Sequence, residues 1–251
     1  MNLERYRRQI LVEEFGKKGQ QTLSKKHVVV IGGGGLGSNS ANILVRLGIG
    51  SIDIIDDDSL DLTNLHRMSI FSEEDIGKPK SKVLAEKLKT INSEVTVRGI
   101  KKRVNKENIK LIIKHADVIL DGTDNLETRF LINEFAVKKK FPWIYAGVHS
   151  TVGMIMGIVP KQTPCLKCIS QNIVDKKQIE TPVLGNLPVT IASIQCLEAL
   201  KVLLGKLPSG LIIYDIWNQR FEQLNINRNQ ECKCCGKESF ELLQESSLNE
   251  D

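Results

Sequence analysis

The chain has 251 residues, 41% of them hydrophobic and 26% charged, with 35 Lys and Arg against 30 Asp and Glu for a formal net charge of +5. That balance is ordinary for a globular protein long enough to bury a sizeable core. Aromatic residues are only 5%, without the basic stripe and stacking side chains of a nucleic-acid binder, and no apolar run approaches the ~18 residues of a membrane helix. The N-terminal Met1-Asn2-Leu3-Glu4-Arg5-Tyr6-Arg7-Arg8 has no apolar signal core. The expected address is the cytoplasm, where six cysteines point to metal or redox chemistry before disulfides.

Residues 3–24 read as an amphipathic helical preface carried by Leu3, Tyr6, Ile10, Leu11 and Phe15. Strands and helices then alternate: strand 27–31, helix from 36, strand 51–55, helix 79–91, strand 94–99, helix 106–114, strand 116–120, helix 125–140 and strand 143–146. This alternation predicts a Rossmann-like, doubly wound α/β fold, mostly parallel, with helices on both faces. After Ala146 the texture changes. Gly147, Gly153 and Gly157 punctuate an apolar run to Val159, where antiparallel strands are expected to continue the sheet. A mobile crossing loop is expected over 169–186, followed by a helix over 188–204 and strands near 211–215 and 220–226. The acidic end, Glu245–Asp251, is expected to fray. No internal repeat or low-complexity linker divides the chain, so residues 1–251 are read as one unit.

The hub is Val28-Val29-Val30-Ile31 followed by a glycine turn, Gly32-Gly33-Gly34-Gly35-Leu36-Gly37. Gly32, Gly34 and Gly37 fit GxGxxG, in which missing side chains let backbone N–H groups approach a pyrophosphate at a helix N-terminus. The run Asp56-Asp57-Asp58 closes the next strand, near the spacing of a ribose-binding carboxylate. Nicotinamide, flavin and ATP users all share such a turn, so further residues must decide among them. Four clusters narrow the choice. Asn64 and Arg67 fall in a polar strand-to-loop stretch, Leu62–Arg67; Lys80 starts a helix after Gly77-Lys78-Pro79; Asp121-Gly122-Thr123-Asp124-Asn125 ends a strand at a carboxyl edge; and Arg5-Tyr6-Arg7-Arg8 offers cations without a local partner. Taken singly, each has a plainer reading as surface cation, helix cap or solvated face.

Cysteines give the sharpest signal. Cys165-Leu166-Lys167-Cys168 and Cys232-Lys233-Cys234-Cys235 are two CxxC knuckles, and two such pairs match a closed, tetrahedral, structural zinc site formed by Cys165, Cys168, Cys232 and Cys235. A redox pair and unligated thiols are the alternatives, and Cys234 leaves the register of the second knuckle open. Cys196 lies on the apolar side of its helix and is read as core. His27, His66, His115 and His149 are scattered and read as structural or exposed.

In this order, Arg5-Tyr6-Arg7-Arg8-Gln9, the GGGGLG turn, Asp56-x-Asp58, Asn64-Leu65-His66-Arg67, Gly77-Lys78-Pro79-Lys80, Thr123-Asp124-Asn125 and the two CxxC pairs closely resemble the ThiF/MoeB/HesA adenylyltransferases, relatives of the ubiquitin-activating enzymes. The resemblance runs from Leu3 to Gly236. It implies an ATP- and Mg²⁺-dependent homodimer that adenylates the C-terminal Gly-Gly carboxylate of a ubiquitin-like sulfur carrier, in thiamin or molybdopterin synthesis. It implies a nucleotide held by Gly32, Gly34, Gly35 and Gly37, with Asp56 on the ribose beside Asp58. Asn64, Arg67 and Lys80 would surround the triphosphate, Asp124 would hold Mg²⁺, and Arg8 would reach the phosphates of the other subunit. The implied division is a helical segment over 1–26, a nucleotide-binding half over 27–146, a carrier-binding half with zinc over 147–236 and a tail over 237–251.

Two departures bear on chemistry. Met68 stands where the family usually has Gln, which removes a polar group expected near the phosphates. Residues 169–186 hold no cysteine, with Gln178, Ile179 and Thr181 where one is sought, so the reaction is expected to stop at the acyl-adenylate. Sulfur then comes from a separate donor, and no rhodanese-like extension is expected to supply it. Peptide adenylylation in natural-product biosynthesis is the nearest rival, weakened by the lack of an added N-terminal peptide-binding domain. A nicotinamide oxidoreductase explains the glycine turn and Asp56 but not Asn64, Arg67, Lys80 and Asp124 together. A non-catalytic scaffold leaves that charged set without a purpose.

Overall fold

The computed structural model describes residues 2–170 and 182–244. Its eight strands are β1 (His27–Ile31), β2 (Ser51–Ile55), β3 (Thr96–Ile100), β4 (Val118–Asp121), β5 (Trp143–His149), β6 (Val152–Ile158), β7 (Leu211–Asp215) and β8 (Arg220–Leu224). They form one sheet in the order β3-β2-β1-β4-β5-β6-β7-β8. Pairing is parallel from β3 to β5 and antiparallel from β5 to β8, as the change of texture after Ala146 predicts. The helices are α1 (Gly16–Leu23), α2 (Gly35–Leu47), α3 (Lys80–Ile91), α4 (Ile109–Ile113), α5 (Leu126–Lys139), α6 (Leu166–Ile169) and α7 (Leu187–Leu203).

Side chains alternate across a strand, so each central strand feeds two cores. Val28, Val30, Ile52, Ile54, Val118, Leu120 and Ile144 pack with α2, α3 and α7 on one face. Val29, Ile31, Ile55, Ile119, Trp143 and Tyr145 pack with α4, α5, α6 and the clustered cysteines on the other. Each fully buried Val or Ile contributes about 1.5–3 kcal/mol. Cys196 is 1% exposed in the first core, as its helical phase predicts. Among the described residues no helix is long and apolar enough to cross a membrane.

Three local expectations change. The preface is not one helix but two 3₁₀ turns, Leu3–Tyr6 and Gln9–Leu11, and then α1. Gly16 sits at φ +61°, which interrupts helical continuity, and the segment is fixed instead by tertiary bonds. Asn92 Nδ2 donates to Tyr6 Oη (2.8 Å), and Gln9 Nε2 donates to Leu47 O (3.1 Å), a carbonyl at the end of α2 that the helix leaves unpaired. Leu62–Arg67 is a 3₁₀ helix rather than a strand-to-loop stretch, because Asp61 and Asn64 cap its start reciprocally. The helix expected over 106–114 forms regular turns only at Ile109–Ile113. The readings of the crossing loop at 171–181, with Gln178, Ile179 and Thr181, and of the Glu245–Asp251 tail lie outside the described residues.

β1 is flanked by β2 on one side and β4 on the other, so chain direction diverges at its carboxyl end and opens a crevice there. A polar cluster joins β1, β2 and β3 across the sheet. Arg98 grips Asp53 through Nε (2.7 Å) and Nη2 (2.6 Å), with His27 Nε2 3.4 Å away. Burial alone would raise the Asp53 carboxyl, but bonding from His27 and Arg98 holds it below the ordinary value of 3.8. The resulting stabilisation is complete above that value and is lost as pH falls through the depressed folded value. Asp53→Asn is expected to destabilise the fold by about 1 kcal/mol near neutrality, allowing for screening at the exposed Arg98. The gap to wild type in chemical denaturation should narrow as pH falls below 3.8; a gap that stays constant into acid would contradict this role.

Candidate functional site

The site begins where β1, β4 and α2 approach more closely than side chains allow. Gly32 turns the chain at φ +93°. A Cβ on Gly37 would overlap the Gly32 carbonyl, and a Cβ on Gly32 or Gly122 would overlap the other's carbonyl oxygen. Gly34 then caps α2 without a side-chain bond, leaving the first-turn N–H groups and the positive end of the helix for a ligand. This is the chemistry of an anion cradle. Met68 does not belong to the polar surroundings: it is 2% exposed, and its methyl would lie 3.8 Å from a Cβ on Gly34. An apolar side chain therefore supports the turn from within the core at this position.

Beside the turn lies a cleft of about 290 Å³ lined by Gly32, Gly34, Asp56, Asp58, Lys80 and Asp124, among others. Asp56 accepts from Gly33 N (2.6 Å) and Asp58 N (2.8 Å), which fixes both carboxylate oxygens. Burial pushes this carboxyl up, opposed by the Gly33 N–H and the Lys80 charge. Lys80 is 7% exposed, and its Nζ is 2.9 Å from Asp58 Oδ2, so the cleft holds a desolvated cation that phosphate oxygens could share. Asp124 is exposed and lines the cleft, its Oδ1 3.5 Å from Asn125 Nδ2. A hard, accessible carboxylate of this kind fits a Mg²⁺ ligand.

The remaining sequence candidates stand elsewhere. The stem of Arg67 covers Gly35, its Cγ and Cδ 3.3 Å from where a Cβ would be. Its Nη1 donates to Thr63 O (2.7 Å), so Arg67 flanks the helix N-terminus from its 3₁₀ turn without lining the cleft. Asn64 lies in the same turn, accepting from Asp61 N at 3.3 Å. Arg8 is exposed, one residue from Gln9, which binds the carboxyl end of α2. The cleft is at the amino end of that 13-residue helix, about 20 Å along its axis.

Several site residues escape a motif-based reading. Lys102 and Arg103, just after β3, add two cations to the cleft wall; their position at a strand's carboxyl end was the available signal. Asn39 ties the 3₁₀ turn to α2, donating to Gly35 O (2.6 Å) and Arg67 O (3.0 Å). Asp121 is fully buried and bonded to Thr123 N (2.9 Å), Thr123 Oγ1 (2.7 Å) and Arg129 Nε (3.0 Å). These bonds shape the loop that carries Asp124.

On the opposite face of the sheet, the sulfurs of Cys165, Cys168, Cys232 and Cys235 lie within 4.8 Å of one another. Separations of 4.0 Å (Cys165–Cys168), 3.7 Å (Cys165–Cys232) and 3.4 Å (Cys168–Cys235) bracket the S–S edge of about 3.8 Å for a tetrahedron with 2.3 Å Zn–S bonds. The donor set therefore fits zinc. Cys234 is turned to another task, accepting from Asn133 Nδ2 (3.2 Å), while Asn133 Oδ1 takes the N–H of Leu166 (2.9 Å). One buried asparagine of α5 thus bridges both knuckles.

Comparison with known proteins agrees with this architecture. The SAMP-activating enzyme E1 of Haloferax volcanii is 32% identical over 250 residues, covering 97% of this chain and 92% of that protein. The sulfur carrier protein ThiS adenylyltransferase of Escherichia coli is 35% identical over 237 residues, covering 92% of this chain and 94% of that one. The crystal structure of E. coli MccB with ATP superimposes with a TM-score of 0.83 at 27% identity, covering 94% of this chain and 75% of MccB. The model of the ThiF family matches residues 6–234, and this chain belongs to that family.

Proposed function

We propose that this protein uses ATP to adenylate the C-terminal glycine carboxylate of a ubiquitin-like sulfur carrier ending in Gly-Gly, releasing pyrophosphate. The observation that carries this reading is the convergence of Lys80 and Asp124 on one cleft beside the uncapped N-terminus of α2. The names of the relatives support the same chemistry: an adenylyltransferase of the sulfur carrier ThiS and a SAMP-activating E1. The reaction brings a carboxylate to the α-phosphorus of a polyanion, so its barrier is largely electrostatic. No general base is needed, since a glycine carboxylate is ionised near neutrality.

In this reading Gly32, Gly34, Gly35 and Gly37 admit the phosphates to the helix N-terminus, and Asp56, with Asp58 beside it, takes the ribose. Lys80, Asn64 and Arg67 engage the triphosphate, Lys80 exchanging its Asp58 partner for phosphate oxygens. Asp124 would hold Mg²⁺, which when bound would supply positive charge against the phosphates as pyrophosphate leaves. Residues 1–26 form the N-terminal helical segment, 27–146 the nucleotide-binding half, 147–236 the carrier-binding half with the zinc site and 237–251 the tail of one cytoplasmic adenylation unit. Its product serves thiamin or molybdopterin synthesis, and a separate donor provides the sulfur. Arg8 is too far from its own cleft, so it acts within a homodimer on the cleft of the other subunit. Adenylylation of a peptide is the second reading, favoured by the likeness to MccB, a protein also crystallised with MccA.

ATP–pyrophosphate exchange decides between them. Exchange is expected only with a Gly-Gly-terminated carrier present, and Asp124→Ala should abolish it while the melting temperature stays unchanged. Exchange driven by free peptide, or a near-normal rate in Asp124→Ala, would overturn the reading. Arg8→Ala should slow turnover by about 10²–10⁵-fold, in the range of other transition-state cations. Subunit exchange between Arg8→Ala and Asp124→Ala dimers should restore about one quarter of wild-type activity, because half the dimers then contain one complete site; no recovery after verified exchange would refute action across subunits. Cys165, Cys168, Cys232 and Cys235 are expected to bind one zinc per chain. Its removal by a chelator should lower the melting temperature by at least about 5 °C, whereas metal-free protein with unchanged melting would refute a zinc staple.

A further inference from the structure

The carboxyl ends of β4 and β5 are joined by side chains where backbone pairing would otherwise continue. Their parallel register runs through Ile119 opposite Trp143 and Leu120 opposite Ile144. One step further, the buried amide of Gln195 on α7 donates its Nε2–H groups to Asp121 O (2.8 Å) and Ile144 O (3.0 Å). Its Oε1 accepts from Ser40 Oγ on α2 (2.7 Å). Two residues along each strand, Arg129 on α5 repeats the bridge. Its Nη2 donates to Thr123 O (2.6 Å) and Ala146 O (3.1 Å), while Nε donates to Asp121 Oδ2 (3.0 Å). The guanidinium also lies over the Tyr145 ring, 5.4 Å from its centroid.

The two rungs come from opposite faces of the sheet, one from α7 and one from α5. Each supplies a donor to one carbonyl of either strand. Without them, four carbonyls would lose partners; the two bound by Gln195 are buried, where water does not replace a lost bond and the penalty per group is substantial. β4 remains bound to β1 at this level through Gly122 N to Ile31 O (2.7 Å), so the rungs set how far the following loop, Thr123–Asn125, stands from β5.

We propose that Gln195 and Arg129 are positioning residues for adenylyl transfer: a two-rung side-chain ladder that fixes the height of Asp124 in the cleft. Neither residue lines the cleft; both act through the loop that does. The proposal rests on the reading of Asp124 as the magnesium ligand in that reaction. Its distinctive consequence is a defect in metal use rather than in nucleotide uptake, because Asp56 is held by Gly33 N and Asp58 N, contacts in which neither Gln195 nor Arg129 takes part.

The test measures carrier-dependent ATP–pyrophosphate exchange against Mg²⁺ concentration, with thermal melting in parallel. Gln195→Met keeps the length but has no donor, and Arg129→Lys keeps the charge but loses the fork that joins both strands to Asp121. Both are expected to lower kcat by about tenfold or more and to raise the half-saturating Mg²⁺ concentration, with KM for ATP changed by less than about threefold. Ser40→Ala, which removes only the anchor of the Gln195 amide, should move both quantities the same way by less, and it decides the matter by the same criteria if the other variants do not fold. Unchanged kcat and Mg²⁺ dependence in a folded variant would overturn the ladder. So would a loss of activity that follows melting temperature while Mg²⁺ dependence stays fixed. A wild-type chain inactive with every carrier would overturn the adenylyl-transfer reading and this proposal with it; an active wild type with unaffected variants overturns the ladder alone.

Discussion

Three stretches of main chain meet at a separation that only a hydrogen on Cα permits. At Gly32, Gly37 and Gly122 the end of β1, the start of α2 and the loop after β4 interlock, and every feature of the cleft is measured from that contact. It directs the N–H groups of α2 outward and sets the Asp56 carboxylate against Gly33. It also brings the acidic ends of β2 and β4 to either side of one crevice. Close packing of this kind has no slack, since overlap of a methyl with backbone cannot be relieved by a rotamer change. The electrostatics follow from it. A buried lysine, an uncapped helix end and an accessible carboxylate converge where two anions must meet if adenylyl transfer is the reaction.

The second half of the sheet serves the first. α5 starts at the cleft, with Asn125 capping it and Arg129 bonded to the β4 loop. A turn later it carries Asn133 and Glu134 into the cysteine cluster. There Asn133 holds both knuckles, and Glu134 takes Lys167 Nζ (3.2 Å) and the Leu242 N–H (2.8 Å). The cysteines therefore fasten the C-terminal segment to the helix that frames the cleft. Gln195 does the corresponding work from α7 on the other face.

Most of this was legible where one local rule dominates. The central strands followed from short apolar runs alternating with helical stretches, the glycine turn from close approach, and the cysteine cluster from CxxC spacing. Cys196 was correctly assigned to the core from helical phase. The preface failed because propensity was outvoted by tertiary bonds to the carboxyl ends of α2 and α3, at Leu47 and Asn92. Leu62–Arg67 failed because a reciprocal cap, Asp61 with Asn64, turns a polar stretch into a 3₁₀ helix. Met68 was read from the family resemblance alone, and its burial just past that helix carries no local signal. Lys102 and Arg103 carry only their position at a strand's carboxyl end and Gln195 no local signature: their importance depends on which strand ends become neighbours, and that is decided by topology.

The central claim is that a carrier carboxylate attacks the α-phosphorus above this cleft. Labelling the carrier's C-terminal carboxylate with oxygen-18 and trapping the product with hydroxylamine tests it directly by mass spectrometry of the released nucleotide. Attack at the α-phosphorus predicts AMP carrying one atom of label. Unlabelled AMP, or label in inorganic phosphate, would contradict the account.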